Sequence, residues 1–521
     1  MARFRGSRRR RLRVVPVHKP SGEVAARVQA VGPEHFGILS IDGAKARSVM
    51  MLCDFYGKVI VEPTEFSHTQ CDLASAVARL QEALGRYELR DHIVAVERTG
   101  EYHRPVQRAF RAAGSDVRLV HPFATKQFRQ PANPGIKTDA TDLAAIHRAA
   151  ANGFGLIDHP LPSEYVQLQL VIRHRRDLVG KQAALRCQIR ECLHAAMPGY
   201  ASCFEDLWSS RIAILIARHT GSAAAVRQLG LRGLSQVVAQ AGLRCRTSTL
   251  TKLLAWTDTA AAGHPETDWM RRMLANLDED YAAKTRQIQA LEQASAQLLV
   301  RTPYLLLLAI PGINIVSAAD LAGEMGPITH YANANAITGR AGLVPSCYQS
   351  DRVDHANGPL IRAANRRLRT ALVQIADNLV CCNHHFRARA DRWYQDQKDP
   401  RWVRVKIAKS FSRLAYMIVA GGQLVRHPCL QQRHYLLDKL LAFHREHDTP
   451  VPQMMADVQA AIQGMPRSEY AAEARPLAEQ LERIQAGRRG PQVLGNILPI
   501  VLARLGVHQL QSQSVGDQDL S

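Results

Sequence analysis

The sequence predicts an α/β domain at the N-terminal end, followed by a long helical, coiled-coil-like segment and a mostly α-helical C-terminal domain. Three observations predict it. Short apolar runs, two of them ending in an acid, alternate with helical patterns from Phe36 to about residue 155; two long helical patterns occupy 163–198 and 269–300; and apolar helical stretches flank a tight turn at Pro311-Gly312. At 521 residues the chain is long enough for two or three domains with full cores.

Residues 1–34 open with seven arginines between Met1 and Arg13, then Pro and Gly punctuation, and hold no apolar period to bury. This predicts a disordered basic tail. It suits phosphate contact, and it equally suits a start upstream of the functional chain. From Phe36, FGILSID reads as a buried strand, and RSVMMLCDFYGKVIVEP reads as two strands joined at Tyr56-Gly57-Lys58. Leu73, Val77, Leu80 and Leu84 have helical spacing, and HIVAVE is another strand ending in an acid. A helix over 102–113, the strand DVRLVHP and a helix opening at Asp139 complete a domain over 36–155, in which the first and fourth strands can lie side by side.

Residues 160–300 form the helical segment. Its first helix, HRRDLVGKQAALRCQIRECL included, sets an Arg-rich face beside Leu178, Leu185 and Ile189, and an Ala- and Gly-rich insertion at about 201–265 reads as irregular. In the second helix a heptad places Met270, Leu277, Lys284, Leu291 and Leu298 at one position, but Met273, Asp280, Gln287 and Ala294 at the other. So half-apolar a seam fits an intramolecular helical hairpin and an oligomer-forming coiled coil equally.

The C-terminal domain spans 301–424. LLLLAIPGINIVSAADLAGEM reads as helix, turn, helix, a helix-hairpin-helix-like element suited to gripping phosphate, with Asn314 tolerating a left-handed conformation where a second Gly is common. After Pro359, Ile361, Asn365, Leu368, Leu372 and Ile375 fall on one side of an amphipathic helix, while Arg362, Arg366 and Arg369, with Arg367 beside them, form a stripe for nucleic-acid phosphates. CCNHH at 381–385 lacks a second ligand pair for zinc and reads as a helix end. Residues 425–521 add helices (HYLLDKLLAFHREH, VQAAIQGM, EARPLAEQLERIQAG) with no assignable chemistry.

Lys and Arg total 67 against 46 Asp and Glu, a formal charge of +21 and a pI near 9.9, which points to a polyanionic partner and first to nucleic acid. The longest apolar run, near Leu305 to Ile310, is too short to span a bilayer. Ten scattered cysteines without a secretory signal predict a reducing cytoplasm, and a nucleic-acid partner there makes the expected setting nucleoid-associated.

Asp139 and Asp142, three apart at a helix start, read most simply as caps, yet they share a face and could hold one cation between them. Asp42 and Glu97 decide the matter at the sequence level. Each ends a buried strand, where α/β sheets place functional groups, and packing needs neither carboxylate. Four acids brought together repel one another unless cations neutralise them, and oxygen-only ligands select Mg2+ or Mn2+, the usual ions of phosphodiester chemistry.

SIDGAK, AVERTGEY and KTDATDLAAI together resemble the Asp-Glu-Asp-Asp signature of the RuvC-like domain in the Piv-related insertion-sequence transposases, the group that includes the bridge-RNA-guided recombinases. The resemblance implies an RNase H/RuvC-like fold with Asp42, Glu97, Asp139 and Asp142 as metal ligands. AGLVPSCYQS and the Arg-rich helix after it resemble the same family's C-terminal domain, whose nucleophilic serine, shortly after GLxP, matches Ser350. Where that family usually has Gly next, this chain has Asp351, and Ser346 offers a second hydroxyl. The resemblance covers roughly 36–200 and 300–420 and implies DNA strand cleavage and transfer, a structured guide RNA, and a site composed between protomers of a dimer or tetramer. A metal-dependent Holliday-junction-type nuclease using water, and a nucleic-acid-binding protein whose catalysis has decayed, remain open alternatives.

Overall fold

The computed structural model describes residues 22–130, 135–158, 160–346, 348–350, 353–355, 358–362, 364–424, 427–431 and 433–465. The chain divides into two units, Met1–Pro160 and Leu161–Ser521.

In the first unit the elements run α1 (Gly22–Val31), β1 (Phe36–Gly43), β2 (Arg47–Asp54), β3 (Val59–Ser67), α2 (Gln70–Arg86), β4 (Asp91–Glu97), α3 (His103–Ala112), β5 (Val117–Val120), α4 (Pro122–Arg129), α5 (Asp139–Ala151) and β6 (Gly155–Ile157). The sheet order is β3-β2-β1-β4-β5-β6. As expected, β1 and β4 are neighbours; they pair in parallel, while β1 is antiparallel to β2 and β6 to β5. Helices cover both faces, so β1 and β4 are apolar almost throughout rather than alternating. Leu39, Ile41, Val94 and Val96 pack with Leu80, Val106 and Phe110 on one face. Ile38, Ile93, Ala95 and Val120 pack with Val24, Val28, Ile146 and Ala149 on the other.

Residues 22–31, expected within a disordered tail, are helical; residues 1–21 lie outside the described residues. The cause is tertiary. Val24 and Val28 are buried against the sheet, and between them Arg27 donates to Asp91 at 2.8 and 2.6 Å and to Asp116 at 2.6 Å.

The second unit opens with α6 (Ser163–Ala196), α7 (Arg211–Thr220), α8 (Ala223–Gln240, kinked at Gly230), α9 (Thr247–Thr259) and α10 (Thr267–Leu299). The two long helices α6 and α10 pair antiparallel within the chain: Arg175 reaches Glu292 at 2.7 Å, Gln182 reaches Thr285 at 2.8 Å, and Arg186 reaches Tyr281 at 2.9 Å. Of the two arrangements that the half-apolar seam allowed, the intramolecular hairpin is therefore present. The insertion expected as irregular is three helices with their own core. Ile212, Ala213, Ile216 and Ala217 have helical spacing and bury against Ile189, Leu193, Met270 and Leu274 at the hairpin end.

Beyond the hairpin lie a 3-10 stretch (Pro303–Ala309), α11 (Ile315–Met325), α12 (Ala334–Arg340), the two-stranded ribbon β7 (Tyr348–Ser350) and β8 (Val353–His355), then α13 (Arg366–Cys382), α14 (His384–Gln395), α15 (Pro400–Gly421), α16 (Arg433–Glu446) and α17 (Val451–Gly464). The expected hairpin differs in two ways. Its first arm is a buried 3-10 stretch, not an α-helix, and Asn314 is extended (φ −105°), not left-handed, because its side chain caps α11 by accepting from Ser317 N at 2.8 Å. The left-handed residue is Gly312 (φ +94°), where a Cβ would stand 2.9 Å from the carbonyl oxygen of Asn378. Asn383 caps α14 by accepting from His385 N, so CCNHH is a helix junction as expected, and the segment EARPLAEQLERIQAG lies outside the described residues.

Candidate active site

Residue alternation in the sheet places two of the four expected acids. Ile41 pairs with Val96 in the parallel β1–β4 register, so Asp42 and Glu97 stand one step further at the ends of adjacent strands. Asp42 lies four residues beyond Ile38 and Glu97 two beyond Ala95, so both point to the face that α5 covers with Ile146 and Ala149. Asp142 is buried in the first turn of α5 and Asp139 is exposed at its start. Neither caps the helix: Thr138 accepts from Thr141 N at 3.2 Å, and Thr141 Oγ1 accepts from Thr138 N at 2.9 Å. With capping done by two threonines, the aspartates are left for another role.

The electrostatics show the acids acting on one another. Burial, then the charges of Glu97, Asp142 and Asp139, push Asp42 up to about 6, and Lys137 opposes them. Glu97 is also raised, first by burial and then by Asp142, with Thr125, Lys137 and Arg129 pulling it down. One internal cation relieves the cluster, since the Arg129 guanidinium donates to Asp142 Oδ1 with both side chains largely buried. Among the described residues no three His, Cys, Asp or Glu side chains are gathered closely enough to hold a metal ion. In chemistry the cluster still fits a hard divalent cation, because its donors are all carboxylate oxygens and burial leaves Asp42 short of compensating charge. Arg129, Lys137 and Thr125 were missed in the sequence. Lys137 sits beside the signature and could have been found there, whereas Arg129 has no local signal.

In the second unit Ser350 is the last residue of β7, paired with Val353 of β8; its side chain and the whole of Asp351 lie outside the described residues. Ser346 N donates to Pro359 O at 2.8 Å and Ser346 O accepts from Gly358 N at 3.0 Å, which ties the ribbon's base. The Arg-rich helix begins later than expected. Asn365 is its N-cap, accepting from Leu368 N at 3.1 Å, so Ile361 and Arg362 precede α13 and do not share its faces. Arg362, Arg366 and Arg367 are exposed, and none has an ion pair among the described residues. Arg369 differs: its guanidinium donates to Ala341 O at 2.8 Å and to Ile361 O, anchoring the loop before the helix. Below it, buried Glu324 accepts from Arg173 at 3.0 Å and from Asn365 at 3.2 Å, which ties the cap of α13 to α6 and α11.

Sequence comparison adds two matched segments. Residues 39–198 match the DEDD transposase family of IS110, and residues 304–391 match the transposase IS116/IS110/IS902 family. A probable family 20 transposase of Pseudomonas aeruginosa is 25% identical over 335 residues, 63% of this chain and 84% of its own length. The insertion element IS110 43.6 kDa protein of Streptomyces coelicolor is 25% identical over 295 residues, 56% of this chain and 71% of its own. A putative transposase of Sinorhizobium fredii is 34% identical over 116 residues, 22% and 28% of the two chains. No helix among the described residues is long and apolar enough to cross a membrane.

Proposed function

We propose that this chain, built on two IS110/IS116 transposase domains, is an insertion-element DNA recombinase that cuts and rejoins strands through a serine-linked intermediate. One observation carries the reading: within the first matched segment, two adjacent strand ends and one helix start bring Asp42, Glu97 and Asp142 to the same face of a sheet, close enough to perturb one another.

Ser350 Oγ attacks a backbone phosphorus, forming a phosphoserine ester as one P–O bond of the strand breaks. The serine proton passes to the departing oxygen, which leaves as a free hydroxyl. Because one ester replaces another, rejoining by a strand hydroxyl regenerates Ser350 without an external energy source. Asp42, Glu97, Asp139 and Asp142 would hold Mg2+ or Mn2+, which supplies positive charge for the phosphate and departing oxygen. Arg129 orients the Asp142 carboxylate before loading. Arg362, Arg366 and Arg367 grip flanking phosphates, the charge of +21 suits a nucleic-acid partner, and the family resemblance adds a structured guide RNA to the DNA. The acting form in this reading is a homo-oligomer, a dimer or tetramer.

The test is covalent capture. The protein is incubated with Mg2+, labelled element-end DNA and the element's non-coding RNA, then denatured. Label should remain on the protein and map to Ser350; Ser350→Ala should lose it while still binding DNA, and Ser346→Ala should keep it. Label on Ser346 moves the nucleophile. Free ends without attachment make the protein a hydrolytic nuclease and end the serine reading.

A further inference from the structure

The helical insertion between the two matched segments carries a cavity of about 620 Å3, set between the starts of α7 and α9. Residues 201–265 hold seven Lys and Arg. Arg218 pairs with Asp278 at 2.6 Å and with Glu279 at 3.1 Å, and Arg227 pairs with Asp258 at 3.1 Å. Four of the others, Arg211, Arg244, Arg246 and Lys252, all line this one cavity, and none has an ion pair among the described residues. Scattered solvated cations would not collect around one concavity, because like charges set close together repel.

The rest of the wall suits the same ligand. Ser248 and Thr249 bring hydroxyls from the first turn of α9. Neither α7 nor α9 has a side-chain cap, so the open N–H groups of two helix starts border the space that the four cations surround. Two acids also line it. The Asp206 carboxylate accepts from Trp208 N at 3.1 Å and Ser209 N at 3.2 Å, and Glu205 is exposed, so cations outnumber acids four to two.

We propose that this cavity is a binding site for the phosphodiester backbone of a nucleic acid, separate from the carboxylate cluster and from Ser350. The volume is many times that of one phosphate group and accommodates a stretch of backbone with its sugars. Cations, hydroxyls and helix-start N–H groups all suit phosphate oxygens, so the contact proposed here is with the backbone of the strand. The inference needs the chain to handle nucleic acid, but it does not rest on the serine or metal assignments.

Cys245 lies in the cavity wall and gives a local readout, while exposed Cys71 in α2 serves as an internal reference. The full chain is alkylated alone, with a short duplex DNA, and with an RNA of the same sequence; the rate at each cysteine is read by peptide mass. Nucleic acid should slow Cys245 severalfold and leave Cys71 unchanged. The double variant Arg246→Ala/Lys252→Ala should lose the protection and lower the salt slope of binding by about two units, whereas Arg246→Lys/Lys252→Arg should keep both. Protection by DNA alone or by RNA alone identifies which backbone the site holds. An unchanged Cys245 rate with both, or an unchanged slope in a double variant that melts like the parent, overturns the proposal.

Discussion

Replacing Asp42 by Asn should stabilise the first unit in the absence of divalent ions, although it removes a proposed ligand. The unfolded carboxyl titrates near 3.8 and the folded one at about 6. Between those values the folded chain keeps a proton that the unfolded chain gives up, so stability falls as pH rises from 3.8 through 6. Two pKa units at 1.36 kcal/mol each put the cost of the ionised Asp42 at about 3 kcal/mol at pH 7.5. Asn cannot ionise and escapes that cost, so the gain should be about 3 kcal/mol at pH 7.5 and should vanish near pH 4. All five tryptophans lie beyond residue 200, in the second unit, so fluorescence cannot follow this change. Hydrogen exchange of the β1 and β4 amides between pH 5 and 7.5 can. Mn2+ at a hundredfold over its dissociation constant should return about 2.7 kcal/mol to the parent alone and close most of the gap. An Asn variant less stable than the parent at pH 7.5 without divalent ions, or a gap that does not narrow toward pH 5, refutes the repulsion argument.

Gly312→Ala should cost about 3 kcal/mol in urea unfolding followed by tryptophan fluorescence, since φ of +94° and the Asn378 carbonyl both oppose a Cβ. Gly422→Ala, at φ +57° with open space around it, should cost only about 1 kcal/mol, and equal losses would remove the steric argument. Arg362→Ala, Arg366→Ala and Arg367→Ala should each lower the salt slope of DNA binding by about one unit without changing the melting temperature. Arg369→Ala should do the reverse, leaving the slope and losing about 2 kcal/mol of stability with its carbonyl contacts to Ala341 and Ile361; a slope change there would mean that Arg369 also serves phosphate.

The sequence by itself determined the strands and helices whose burial follows a local period. FGILSID and HIVAVE are apolar because helices cover both sheet faces, and that burial is written into consecutive residues. It also determined where Asp42 and Glu97 would stand, because an acid ending a buried strand marks its own position, and it determined the two long helices. Tertiary structure decided whatever depends on distant partners. Helix α1 exists because Arg27 finds Asp91 and Asp116, 64 and 89 residues away, and its basic flank conceals the Val24–Val28 pair. The insertion is folded because Ile212 and Ile216 meet the ends of α6 and α10, so an Ala- and Gly-rich stretch gains a core that composition does not advertise. The half-apolar heptads could not distinguish a partner within the chain from one outside it, since either buries the same side chains; the Arg175–Glu292 and Gln182–Thr285 contacts place the intramolecular one. Arg129 joins the acid cluster for the same reason: a charge is recruited by the field of groups that the fold gathers, and that field has no period along the chain.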